Sequence, residues 1–460
     1  MKSPNDDAEP PTASPQESPL RLAVWAAADK ALPVLYGLAI ILIAMKALSK
    51  DEWGAWTIFS VVFMVISMCG DFFVLQPMVK IASEDAADTE PTITAGLALY
   101  TILSLALGLG VVALAEPLAT VVKTPEAIPS FRLTFWIVVA NLTRSHAIRV
   151  LQISYRIVAI FVVDLVYFVG LIALMCYGWA AGSFVRSTDL VMYNILAFIA
   201  SSLVGLWLAM RGMRPAITGV PAAARRLARL GVHQGGTGLL TVLQQQSDVL
   251  IVGGMRGGKA AGVYGAARTF YRFFDSVRDA AQLLLVPATS RAYSQERIEA
   301  VEEITELATA ALVILMFPLT VIMIALAPIV IPIILPNFPE AIDEFQWLMA
   351  NGFLAPFVIV PSAVLLGIGH TRDLFRGTFI GTVMLIAAGG ALTWFFGSVG
   401  MAAGVFVGTG VTGILLTRRM NRYVPFTFRS VLRRARTFGP ALRNRVEAFS
   451  KGMRRNTKNS

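Results

Sequence analysis

The chain has 460 residues, of which 56% are hydrophobic and only 15% charged, with a formal net charge of +10. A soluble protein of this size does not expose so little charge, whereas a multi-spanning membrane protein must be this apolar because its lipid-facing side chains match hydrocarbon. The two cysteines, Cys69 and Cys176, both fall in apolar runs, and His146, His233 and His370 are isolated, so neither a disulfide framework, a metal site nor a cofactor is expected.

Residues 1–19 are polar, acidic and proline-rich, without a charged-then-apolar signal pattern, and read as a disordered cytoplasmic tail. A helix needs about 20 residues to cross the hydrocarbon layer. Twelve segments reach that length, near 22–47, 54–79, 92–115, 131–149, 157–178, 189–210, 236–256, 261–288, 306–335, 344–367, 374–397 and 399–418. With the N-terminus cytoplasmic, 28 of the 39 Lys and Arg fall on the cytoplasmic side and seven outside, the positive-inside pattern. Both termini are then cytoplasmic. The longest outer loop is 116–130, and no catalytic constellation accompanies it, which argues against a membrane-embedded transferase.

Segments 2 and 8 align at an offset of 208 residues: Gly54 with Gly262, Trp56 with Tyr264 and Asp71 with Asp279. An offset of six segments is even, so the two halves enter the membrane in the same direction, as a parallel repeat about the membrane normal. The expected organisation is an N-terminal lobe at 20–210, a basic linker at 211–234 read as a cytoplasmic surface helix, a C-terminal lobe at 235–419 and a basic amphipathic tail at 420–460. The fold class is all-α, with about twelve transmembrane helices in two six-helix lobes related by that repeat; the central cavity between them is what the resemblance below implies.

ALSKDEWGAWTIFSVV (47–62) and SDVLIVGGMRGGKAAGVYGAA (247–267) resemble the signatures of Wzx-type polysaccharide flippases, of the multidrug/oligosaccharidyl-lipid/polysaccharide exporter superfamily. The resemblance implies a V-shaped pair of lobes whose cavity opens alternately to either side. It also implies a lipid-linked oligosaccharide as partner, with glycosyltransferases and a polymerase of the same pathway nearby. A multidrug exporter of the same superfamily is the alternative. The basic tail suits anionic lipid headgroups better than nucleic acid.

GGMRGGKA (253–260) looks like a phosphate-cradling loop but has Ala260 where a magnesium-binding Ser or Thr is needed, and it lies between two spans; it reads as an outer turn. The chemistry lies on its flanks. In segment 8, Arg268, Arg272, Asp275 and Asp279 form one helical stripe; in segment 7, Gln244 or Gln245 shares a face with Asp248. Charge at such depth faces a wet cavity or a partner. One reading locks the helices through Asp248–Arg268 and through Arg272 with Asp275 or Asp279. The other is a cationic wall of Arg268 and Arg272, with Lys30 opposite, for an anionic substrate. Asp248, Asp71, Asp279 and Asp275 are candidates for ion coupling or gating, and Asp164 and Asn141 for cavity lining or gating. Seven of the eight tryptophans lie near segment ends and read mainly as an interfacial belt.

Overall fold

Hydrocarbon offers no hydrogen-bond partner to an exposed backbone, so a chain this apolar satisfies its N–H and C=O groups within helices. A computed structural model describes residues 19–84, 88–210, 216 and 218–426, and no strand occurs among them. The expected N-terminal tail up to residue 18 and the basic tail from 427 onward lie outside the described residues. Each of the twelve expected segments falls in a helix: α1 (19–47), α2 (Lys50–Glu84), α3 (Thr89–Ala113), α4 (Thr134–Ile153), α5 (Ile157–Ala180), α6 (Ser187–Met210), α7 (Val220–Arg256), α8 (Gly258–Ser294), α9 (Ile298–Ile334), α10 (342–367), α11 (371–396) and α12 (398–420). Helix α10 bends by 49° between Pro339–Phe353 and Ala355–Gly367, and α11 meets α12 at Gly397 (φ 65°, ψ −146°).

By length and hydropathy alone, six helices among the described residues qualify as membrane spans, or seven with the bent pair. Helices α4, α7 and α8 fall short because they carry arginine, glutamine and aspartate in their interiors. Two spans contain π-helical turns, Ile40–Ala44 in α1 and Asp71–Leu75 in α2. Such turns often mark functional positions, and both border cavities here.

The linker departs from its expected form. Helix α7 begins at Val220 and runs 37 residues without interruption, so the basic segment extends a spanning helix and is not a separate surface helix. It is held along α2: a Cβ on Gly231 would stand 1.9 Å from the Phe73 carbonyl oxygen, and Gly235 and Gly238 receive the Phe73 and Phe72 rings. Arg226 pairs with Asp88 at 2.7 Å and Glu84 at 3.4 Å.

At the opposite end, α2 and α8 meet through glycine. A Cβ on Gly54 would lie 1.9 Å from the Gly258 oxygen, one on Gly262 2.7 Å from the Lys50 oxygen, and one on Gly265 2.5 Å from Thr57 Cγ2. Lys50 and Gly258, Gly54 and Gly262, and Thr57 and Gly265 are each 208 positions apart. The contact is therefore reciprocal, each helix presenting the same positions to the other, as at a two-fold interface. The largest buried apolar cluster surrounds it, with Ile58 and Phe59 from α2 and Tyr264 and Ala266 from α8. A second correspondence, PEAIPSF (125–131) and PEAIDEF (339–345), forms matching 3-10 turns at Pro125–Ala127 and Pro339–Ala341 and buries Phe131 and Phe345.

Ion pairs and hydrogen bonds add to this closure: Lys50 Nζ to Glu340 Oε1 at 2.6 Å, Lys123 Nζ to the Met255 oxygen at 3.2 Å and Asn337 Nδ2 to the Met45 oxygen at 3.2 Å. The Lys50 ammonium holds the Glu340 carboxyl below its ordinary range, chiefly by donating a hydrogen bond to it. The glycine-rich turn at 253–260 is a single-residue joint: Gly257 (φ 83°) separates α7 from α8. Only glycine takes that backbone without strain. Trp53 and Trp56 depart from the expected belt; both are buried, whereas Trp136, Trp179, Trp207, Trp347 and Trp394 are exposed.

Candidate functional site

Just below the glycine contact, α1, α2, α5 and α6 face α7 and α8 across a cavity of about 180 Å³. Its wall from the first half is aromatic and hydroxylic, including Tyr36, Trp56, Thr57, Ser60, Tyr167 and Asn194. Its cationic groups are Arg268 and Arg272, one helical turn apart on α8. The two halves contribute unequally: 208 positions earlier, α2 carries Ser60 and Met64 in this lining.

The two arginines have different partners. Asp248 is 4% exposed and its carboxylate accepts from Arg268 Nε at 2.6 Å, Tyr264 Oη at 2.8 Å and the Val249 N–H at 2.8 Å. Arg268 also donates to the Gln245 carbonyl oxygen. This is the Asp248–Arg268 lock between adjacent helices. Removing one member of such a buried pair typically costs about 3–5 kcal/mol, since it leaves the other charge unpaired. Arg272 instead makes no ion pair or side-chain hydrogen bond among the described residues, and its side chain is exposed along the cavity. Its expected acidic partners are taken by Arg278, which reaches Asp275 at 3.0 Å and Asp279 at 3.6 Å.

Among the glutamines, Gln246 lines the cavity, with Nε2 3.1 Å from Met64 Sδ. Gln245 contributes its carbonyl to Arg268, and Gln244 is not part of the lining. The helix turns about 100° per residue, so a one-residue change moves a side chain well around the circumference. Lys30 lies on α1, but its side chain is outside the described residues.

Asp71 belongs to a different chamber, of about 780 Å³, enclosed by α1 to α5. There Arg149 holds Asp71 at 2.6 Å and Arg144 holds Asp164, while Gln76 Nε2 donates to the other Asp71 oxygen at 2.8 Å. Asn141, Asp29 and Ser67 are among its other polar lining residues. The Arg144 guanidinium also lies 4.7 Å from the centroid of Tyr167, whose hydroxyl donates to Asn194 Oδ1 at 2.8 Å. Phe198, stacked on Tyr167 at 4.5 Å, lies 5.7 Å from the same guanidinium, so this ring pair stands between Arg144 and the central cavity. Arg144 and Arg149 were absent from the sequence-based candidates because the positive-inside count assigns them to the cytoplasmic surface. Their position inside the 131–149 segment was the available signal.

The sequence pattern of the family described as "Polysaccharide biosynthesis protein" matches residues 45–338. No curated protein matches the chain. Among solved structures, lipid II flippase MurJ in an inward closed conformation has a TM-score of 0.70 at 11% identity, covering 90% of this chain and 89% of that chain. An inward-facing multidrug resistance MATE family transporter of the MOP superfamily has a TM-score of 0.66 at 15% identity, covering 87% and 94%. A MOP superfamily transporter from Pyrococcus furiosus has a TM-score of 0.53 at 15% identity, covering 88% and 94%. At these identities the structures establish a shared transporter fold, and it is the sequence match over 45–338 that gives the lineage: the chain belongs to the polysaccharide biosynthesis protein family.

Proposed function

We propose that the protein is a flippase that moves a polyprenyl pyrophosphate-linked oligosaccharide from the cytoplasmic to the outer leaflet of the inner membrane. The observation that carries this reading is Arg272, a guanidinium without an acidic partner, beside Arg268 in a cavity between the two halves of the chain. A bare charge within a bilayer costs several kcal/mol, so such a group is retained where it meets an anion or water. Arginine presents a fork of donors that matches phosphate oxygens. The pyrophosphate sits against α8 while the isoprenoid remains in lipid, and two six-helix lobes, 20–210 and 235–419, rock about the α2–α8 glycine contact. The family membership and the MurJ-like fold support this reading.

Export of a cationic drug is the competing function within the same fold. Two arginines against one carboxylate repel such a cargo. The test is sidedness: cells lacking the protein accumulate lipid-linked oligosaccharide on the cytoplasmic leaflet. An unchanged distribution between leaflets refutes the flippase.

A further inference from the structure

We infer that the chamber within the first half of the chain is the glycan pocket, which holds the neutral sugar portion of the cargo while the central cavity holds its pyrophosphate. This rests on the flippase reading and adds to it a second subsite.

Size is the first argument. At about 180 Å³ the central cavity falls below the range of about 300–1,000 Å³ typical of ligand sites, and 780 Å³ falls within it. A diphosphate fits the former, and an oligosaccharide does not. Charge is the second. The central cavity sets two arginines against the single carboxylate of Asp248. The chamber sets Asp29, Asp71 and Asp164 against Arg144 and Arg149 among the described side chains, so it disfavours an anion. Both arginines are already bound to aspartates, and a neutral ligand leaves those pairs intact.

Hydrogen-bonding capacity is the third argument. Asn141 is 7% exposed and lines the chamber, yet its Oδ1 accepts no hydrogen bond; Arg144 Nε likewise has no partner. A buried polar atom left unpaired costs about 1–3 kcal/mol, so each such atom calls for an explanation. Both atoms are closed off from the chamber as they stand; sugar hydroxyls both donate and accept, and a rotation of the Asn141 amide and the Arg144 guanidinium towards the chamber would let them pair. The fourth argument is continuity. The α2 stripe runs from Ser60 and Met64 in the cavity to Ser67 and Asp71 in the chamber, and the stacked rings of Tyr167 and Phe198 stand between Arg144 of the chamber and the cavity. A sugar chain joined to a pyrophosphate at Arg272 can follow that stripe.

The experiment uses the full chain in detergent with three probes. These are lipid-linked oligosaccharide extracted from cells lacking the protein, the free oligosaccharide released from it by mild acid, and inorganic pyrophosphate. Asn141→Leu removes the unpaired acceptor. Ser67→Leu fills the chamber from α2, where the Ser67 hydroxyl bonds only its own helix at the Phe63 oxygen. Each variant is expected to weaken free oligosaccharide binding at least tenfold and to leave pyrophosphate binding unchanged; Arg272→Ala does the reverse. Wild-type oligosaccharide affinity in both chamber variants overturns the glycan pocket. Wild-type protein that binds neither form of the oligosaccharide refutes the flippase reading and the pocket together. Binding of intact cargo and pyrophosphate that both chamber variants leave unchanged removes the pocket alone.

Discussion

Helices α2 and α8 correspond at an offset of 208 residues, and they are alike at Gly54 and Gly262, where their backbones touch, but differ along the cavity wall. At their contact Gly54 and Gly262 play reciprocal roles, and Thr57 meets its own counterpart Gly265. Deeper along each helix, α8 carries Arg268 and Arg272 where α2 carries Ser60 and Met64. Even the retained acid differs: Asp71 is bound across helices by Arg149, whereas Asp279 pairs with Arg278 on its own helix. Close backbone approach tolerates only small residues, so the contact constrains both copies equally. The cavity wall has no such constraint and is free to become cationic on one side.

The comparison is broken most severely at Asp248. Asp248→Ala leaves Arg268 charged and partly buried, and a loss of about 3–5 kcal/mol of stability is expected. Thermal unfolding in detergent measures it, and a cycle with Arg268→Ala should show coupling; independent effects of the two substitutions refute the lock. Next comes the reciprocal contact. Gly54→Val drives a side chain into the Gly258 backbone, which cannot yield as a flexible side chain does. Overpacking of this kind costs about 1–3 kcal/mol. The closed α2–α8 end should open, seen as a lengthened distance between spin labels at positions 51 and 259. An unchanged distance shows that the glycines do not hold the closure.

Arg272→Ala sharpens the contrast between paired and unpaired arginine. Hydrogen bonds to a charged group contribute about 1.5–3 kcal/mol, so transport should fall by about ten- to a hundredfold. Unfolding temperature should stay near wild type, because no partner is orphaned. A stability loss like that of Asp248→Ala places Arg272 in an ion pair instead. The smallest effect is at Lys50–Glu340. The Glu340 carboxyl is held low, so its contribution is complete above the ordinary glutamate value of about 4.3 and disappears as pH falls through the lowered value. Exposed pairs contribute up to about 1 kcal/mol. The label distance should therefore hold from neutral pH to the ordinary carboxylate range and lengthen only below it, and Glu340→Gln should remove that dependence. A dependence retained in Glu340→Gln assigns it to another group.

Twelve helices were legible because a bilayer dictates both the length and the apolarity of a span. The 208-residue offset was legible from glycine and aspartate in α2 and α8; the PEAI pair was not, because it stands 214 residues apart and an offset set by the helices passes over it. Asp248 and Arg268 were readable as partners since equal depth on adjacent helices needs only the helical rise. Arg272 was different: two acids lay within helical reach, and only the packing shows Arg278 taking both. Likewise, Arg144 and Arg149 look like surface cations near a span end, and only the approach of Asp164 and Asp71 from α5 and α2 draws them inward. Sequence alone determined the class, the spans and the stripe of charge on α8, because composition and helical periodicity are local. Which charges cancel, which remain free and which space they enclose was decided by tertiary structure, because partners and cavities are made by helices distant in the chain.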